Sequence, residues 1–121
     1  MRHKQFEKFA QKVIAEYQRK LLLDRYTITI APRTTTEYME CGFRVPYLDV
    51  TIGYNPEKIE RDWKAGRKAD LTQALIHELC HVVTDPLYAK ASDRYAGKND
   101  LESERETLTD HIAMIIVKNR I

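Results

Sequence analysis

Two histidines four residues apart, His77 and His81, with Glu78 directly after the first, are the residues best placed by type and spacing to do chemistry. In a helix, positions four apart lie on one face, about 6 Å from each other along the axis. Two imidazole nitrogens at that spacing can meet one Zn²⁺, and the adjoining carboxylate sits beside the ion without occupying it. Such a carboxylate is suited to act as general base on a water activated at the metal, so Glu78 is the expected catalytic residue. A purely structural metal would have no use for it. That difference separates peptide hydrolysis from the rival expectation, a non-catalytic zinc-stabilised regulatory or protein-binding module.

A catalytic zinc needs a third protein ligand and an open position. Downstream, Glu102, Glu104, Glu106, Asp110 and His111 fall within ten residues of one another and offer several candidates. Glu106 and Asp110 share a helical face that Ala113 and Val117 extend, and carboxylates on an inward face are costly without a cation to meet. Glu102 fits better as the partner of a capping residue, and Glu104 points roughly away from Glu106. His111 flanks the same face and stays open as an alternative third ligand.

His77, Glu78 and His81 followed by Glu106-x-x-Thr109-Asp110 resemble the gluzincin metallopeptidases, above all the minimal single-domain forms among short phage and bacterial proteins. The resemblance covers residues 71–86 and 102–115, and the strand-then-helix order loosely. It implies Glu106 as third zinc ligand and Asp110 as the carboxylate that orients a ligand histidine. It also implies a peptide or protein substrate. Larger members carry a second domain that supplies a transition-state donor, for which this chain has no room; Tyr88, Arg94, Tyr95 and His111 are the candidates here. Cys80 fills space beside a ligand, and Cys41 is a less favoured candidate for a thiol capping the metal.

The elements that must position these residues can be read from periodicity. Leu71, Leu75, Leu79 and Val82 form one apolar stripe, with Asp70 and Gln73 in a capping-box pattern before it and Asp85-Pro86 as the expected stop. Residues 87–98 read as a loop. Asn99 and Glu102 open a last helix, expected to turn Leu101, Leu108, Ile112, Ile115 and Ile116 inward. Upstream, Phe6, Phe9, Ala10, Val13, Ile14, Tyr17 and Leu21 make residues 3–22 an amphipathic helix. Residues 26–30, 37–45 and 47–54 read as strands, the last two as an antiparallel pair turned at Pro46. The final strand, 47–54, is the expected edge beside which substrate would lie. Asn55 and Pro56 open a short helix that Gly66 closes. The order gives an α+β domain: an N-terminal helix, a small, largely antiparallel three-stranded sheet, the active-site helix and a C-terminal ligand helix.

A chain of 121 residues is expected to form a single domain, and 43% apolar with 31% charged residues is ordinary for a globular protein. Twenty basic and 18 acidic side chains leave a net charge of +2, with no clustered basic surface to suggest a nucleic acid partner. Two cysteines make no disulfide framework, which suits a reducing cytoplasm. The N-terminus lacks the apolar stretch of a signal peptide, and no run approaches the length of a membrane span.

Overall fold

The computed structural model describes the backbone of residues 2–34, 37–44, 48–94 and 98–119, and the side chains of 4–34, 37–43, 48–85 and 102–119. Helix α1 (Arg2–Lys20) leads into strands β1 (Thr27–Pro32), β2 (Met39–Arg44) and β3 (Asp49–Tyr54), followed by helices α2 (Pro56–Lys64), α3 (Lys68–Arg94) and α4 (Lys98–Lys118). This is the α+β order expected. Local chemistry accounts for several boundaries. The Asn55 side chain accepts from the Lys58 amide at 3.1 Å, Pro56 starts α2, and Gly66 follows its end at φ +73°, a conformation glycine adopts without strain.

The sheet is mixed rather than largely antiparallel. Its order is β1-β3-β2, with β3 parallel to β1 and antiparallel to β2. The antiparallel pairing of β2 with β3 agrees with expectation, while the Pro46 turn lies outside the described residues. Strand β3 is therefore central, which corrects its assignment as the edge beside the site. Its alternation, with Val50, Ile52 and Tyr54 buried, matches any strand covered on one face, so periodicity could not tell centre from edge.

The inner face of the sheet packs on α1 and α3 through Phe6, Ala10, Ile14, Ile52, Leu75 and Leu79. On its other side α3 meets α4 through Ile76, Cys80, Ala113 and Ile116. Helix α3 is thus enclosed between two packing partners.

Helix α3 also continues through Pro86 to Arg94, where a stop and a loop were expected. An interior proline costs a helix about 3 kcal/mol. Packing of α3 along α4 offsets that loss, as tertiary contacts commonly override local propensity. Helix α4 turns Ile112 and Ile116 inward as expected but departs at Leu108 and Ile115. Thr109, Ala113 and Ile116 are buried, whereas Leu108 and Ile115 are 47% and 44% exposed. Small side chains let two helices approach closely, so the inward stripe runs through Thr109 and Ala113 as well as Ile112 and Ile116 and leaves Leu108 and Ile115 outside. Leu101 lies outside the described side chains. Among the described residues, no helix is long and apolar enough to cross a membrane.

Candidate metal centre

His77, Glu78 and His81 occupy the middle of α3, where the helix passes beneath β2 and beside α4. Each of the three offers a ligand atom within 4.8 Å of the others. The two imidazole rings meet edge to face, with centroids 4.9 Å apart. From α4, Glu106 Oε1 reaches 3.5 Å from His77 Nε2 and 3.3 Å from His81 Nε2. Donor atoms about 2 Å from a tetrahedral metal ion stand about 3.4 Å from one another, so Glu106 Oε1 lies at ligand spacing from each of the two imidazoles.

Behind the histidines stand two more carboxylates. His81 Nδ1 lies 2.9 Å from Asp85 Oδ1, a hydrogen bond that leaves Nε2 as the free lone pair when Nδ1 carries the proton. His77 Nδ1 lies 3.7 Å from Asp110 Oδ1, an ion-pair distance but too long for a hydrogen bond. The expected orienting residue, Asp110, is therefore near its histidine, and Asp85 holds the tighter contact. Asp85 follows His81 by four residues, the same spacing that joins the histidines, and that was the signal for it. Its reading as a helix stop with Pro86 obscured it. Arg105 was also missed. Its Nε lies 3.2 Å from Glu106 Oε2 and 3.8 Å from Asp85 Oδ1, so one guanidinium ties a carboxylate of α4 to one of α3.

Glu78 is 7% exposed, and it makes no hydrogen bond or ion pair with any described residue. Burial pushes its carboxyl up to about 8, the charge of His81 opposes that shift, and the Glu106 and Asp85 carboxylates add to it. A mostly buried carboxylate that opens on the cleft beside two histidines is favoured by a nearby cation, and a metal at the two histidines would supply one. Burial would lower His81, but the Asp85 hydrogen bond and the surrounding carboxylates outweigh it and the net shift is upward. Taken together, the two histidines, Glu78 and the approaching Glu106 fit a divalent metal ion.

The remaining candidates are placed as follows. His111 is exposed and joins no hydrogen bond or ion pair among the described residues. Glu104 is exposed, and Glu102 lines the cleft on the His81 side. Tyr88 and Arg94 lie in α3 with side chains outside the described set, and Tyr95 lies outside the described residues altogether. Cys41 and Cys80 are both free thiols. Cys41 lines the cleft beside His81, and burial, with the Glu78 and Asp85 carboxylates, pushes its thiol well up. Burial also raises Cys80, to about 11. Neither is poised as a thiolate.

No protein-family model matches the chain, and no curated protein or solved structure is significantly similar to it.

Proposed function

We propose that this chain is a zinc-dependent peptidase of the HExxH, gluzincin-like kind, with His77, His81 and Glu106 holding the metal and Glu78 as general base. The observation that carries the reading is the approach of Glu106 Oε1 to both His77 Nε2 and His81 Nε2, beside the mostly buried Glu78 that opens on the cleft. A zinc ion held there would polarise the scissile carbonyl and acidify a water. Glu78 takes the proton of the attacking water and hands it to the leaving amine. Asp85 holds the His81 ring in orientation, and Arg105 steadies Glu106.

An extended substrate needs an open strand edge, and β2 supplies it. The Asn55 amide donates to the Tyr38 carbonyl at 3.0 Å, which makes Tyr38 and Asn55 a hydrogen-bonded pair of the antiparallel ladder. Such pairs alternate, so Glu40–Gly53 and Gly42–Thr51 are bonded too, and Met39, Cys41 and Phe43 turn their backbone groups to the outer edge. That edge runs past the metal centre, since Met39 and Cys41 line the cleft with His81. Main-chain pairing there would hold a peptide across the site. A structural zinc would instead be enclosed by four protein ligands; in this reading three hold the metal and Glu78, beside them, serves as the base.

The test is metal analysis of the purified protein, then a peptide proteolysis screen with and without chelator. Stoichiometric zinc and chelator-sensitive cleavage are expected, with cleavage lost in Glu78→Gln. Cleavage at the wild-type rate by that variant would remove Glu78 from the mechanism.

A further inference from the structure

Helix α4 keeps an apolar row out of the core. Leu108 and Ile115 are exposed, and Ile112 between them is half-buried. Spacings of four and three put the three residues on one face of the helix. Ile112 flanks the same core cluster as Tyr17 and Leu21 of α1, so the row runs along the side of α4 nearest the end of α1. Leu22, the next residue there, stands at φ +59° and is 83% exposed. Its amide donates to the Arg19 carbonyl at 3.1 Å and that of Leu23 to the Gln18 carbonyl at 2.8 Å, the helix-end pattern in which glycine usually holds the left-handed position. A branched side chain is strained in that conformation, and an apolar one gains nothing from water.

The charges beside the row are placed symmetrically about its middle. Glu104 precedes His111 by seven residues and Lys118 follows it by seven, so all three lie on one flank of the row. Leu108 and Ile115 lie three residues before and four after the same point. Glu104 and Lys118 are exposed, and neither joins an ion pair among the described residues. An interface between identical copies about a two-fold axis needs a surface that complements itself, and this one does.

We propose that α4 pairs with α4 of a second copy of this chain, antiparallel about a two-fold axis at His111 and Ile112. Leu108 then packs on Ile115 of the second copy, and Glu104 meets its Lys118, each contact occurring twice by symmetry. A parallel pair would set Glu104 against Glu104 and Lys118 against Lys118. His111 also lines a concavity of about 520 Å³ with His77, Glu106 and Asp110, so the second helix borders the metal centre. The proposal does not depend on the peptidase reading. One helix face per copy is a small interface, so the dissociation constant should be on the order of micromolar or weaker.

Sedimentation equilibrium of the purified full chain, from low to high micromolar concentration, tests it. Monomer should give way to dimer as concentration rises. Leu108→Glu places a charge in the row at an exposed position, and it should stay monomeric throughout with unchanged circular dichroism. Glu104→Lys turns two attractive pairs into repulsive ones and should weaken the dimer about tenfold, as should Lys118→Glu. Glu104→Lys combined with Lys118→Glu exchanges the charges and should restore the wild-type dissociation constant.

A monomer at every concentration would overturn the proposal and leave the face to a partner of another kind. A Leu108→Glu protein that dimerises like wild type would show that a different surface joins the copies. Failure of the double exchange to restore what the single exchanges lose would overturn the antiparallel pairing.

Discussion

The hydroxyls of Thr84 on α3 and Thr109 on α4 lie 2.9 Å apart in a buried hydrogen bond, with Thr109 fully enclosed and Thr84 7% exposed. This bond sits one turn beyond His81 on one helix and three residues beyond Glu106 on the other. It therefore sets the register in which the α4 carboxylate meets the α3 histidines. Replacing Thr109 with valine keeps the volume and removes the bond. Thr84 would still reach the Cys80 carbonyl at 3.3 Å, so the loss should be near the ordinary value for one hydrogen bond, about 1 kcal/mol. Urea denaturation reads the stability and a competing chelator reads the zinc affinity, and both should fall. Unchanged zinc affinity in a destabilised Thr109→Val would mean that the bond serves packing alone.

The histidine partners should rank by distance. Asp85→Ala should weaken zinc binding by about 10–100-fold, the range for loss of a carboxylate behind a ligand histidine. Asp110→Ala should cost less, because its contact with His77 is 3.7 Å against 2.9 Å for Asp85 and His81. Chelator competition on the two variants gives the order. A larger loss at Asp110 would show that α4 moves closer to His77 when the metal binds.

Among candidate third ligands, Glu106→Ala should lose zinc and His111→Ala should keep it, since only Glu106 approaches both imidazoles. Zinc content after gel filtration decides it. Retention in Glu106→Ala with loss in His111→Ala would transfer the role.

Cys41→Pro tests the substrate edge. Residue 41 turns its amide outward, so proline removes a group that a peptide would pair with and spares the bonds of β2 to β3. Cys41→Ala keeps the amide and removes only the thiol. Peptide turnover should fall in the proline variant and stay near wild type in the alanine variant, at equal zinc content and matching circular dichroism. Equal turnover in both would show that β2 is not the platform.

Acid stability should depend on Asp62. The Tyr38 hydroxyl donates to its carboxylate at 2.6 Å and, with Arg61 and Arg67, holds it below the ordinary aspartate value against the opposing effect of burial. A carboxylate with a depressed folded-state pKa contributes stability that is present above the unfolded value, about 3.9, and lost as pH falls through the lower folded one. Tyr38→Phe should therefore be less stable than wild type near neutral pH, and the difference should shrink in acid below about pH 4. Denaturant melts across that window provide the check. A gap that stays constant with pH would mean that the hydroxyl acts through packing alone.

The amino-acid sequence by itself determined what depends on neighbours a few residues away. Helical spacing alone puts His77 and His81 on one face, alternation marks Val50, Ile52 and Tyr54 as a buried row, and Asn55, Pro56 and Gly66 bound α2. The tertiary structure decided what depends on distant partners. The order β1-β3-β2 made β2 the edge beside His81, because strand pairing joins segments whose separate patterns look alike. Packing against α4 carried α3 through Pro86 and kept Asp85 on the helical face of His81, where a local rule predicts a stop. The same packing chose Thr109 and Ala113 over Leu108 and Ile115 as the inward face of α4, and so brought Glu106 to the histidines. A local pattern shows which faces are available to be buried; the fit of the whole core selects the face that is.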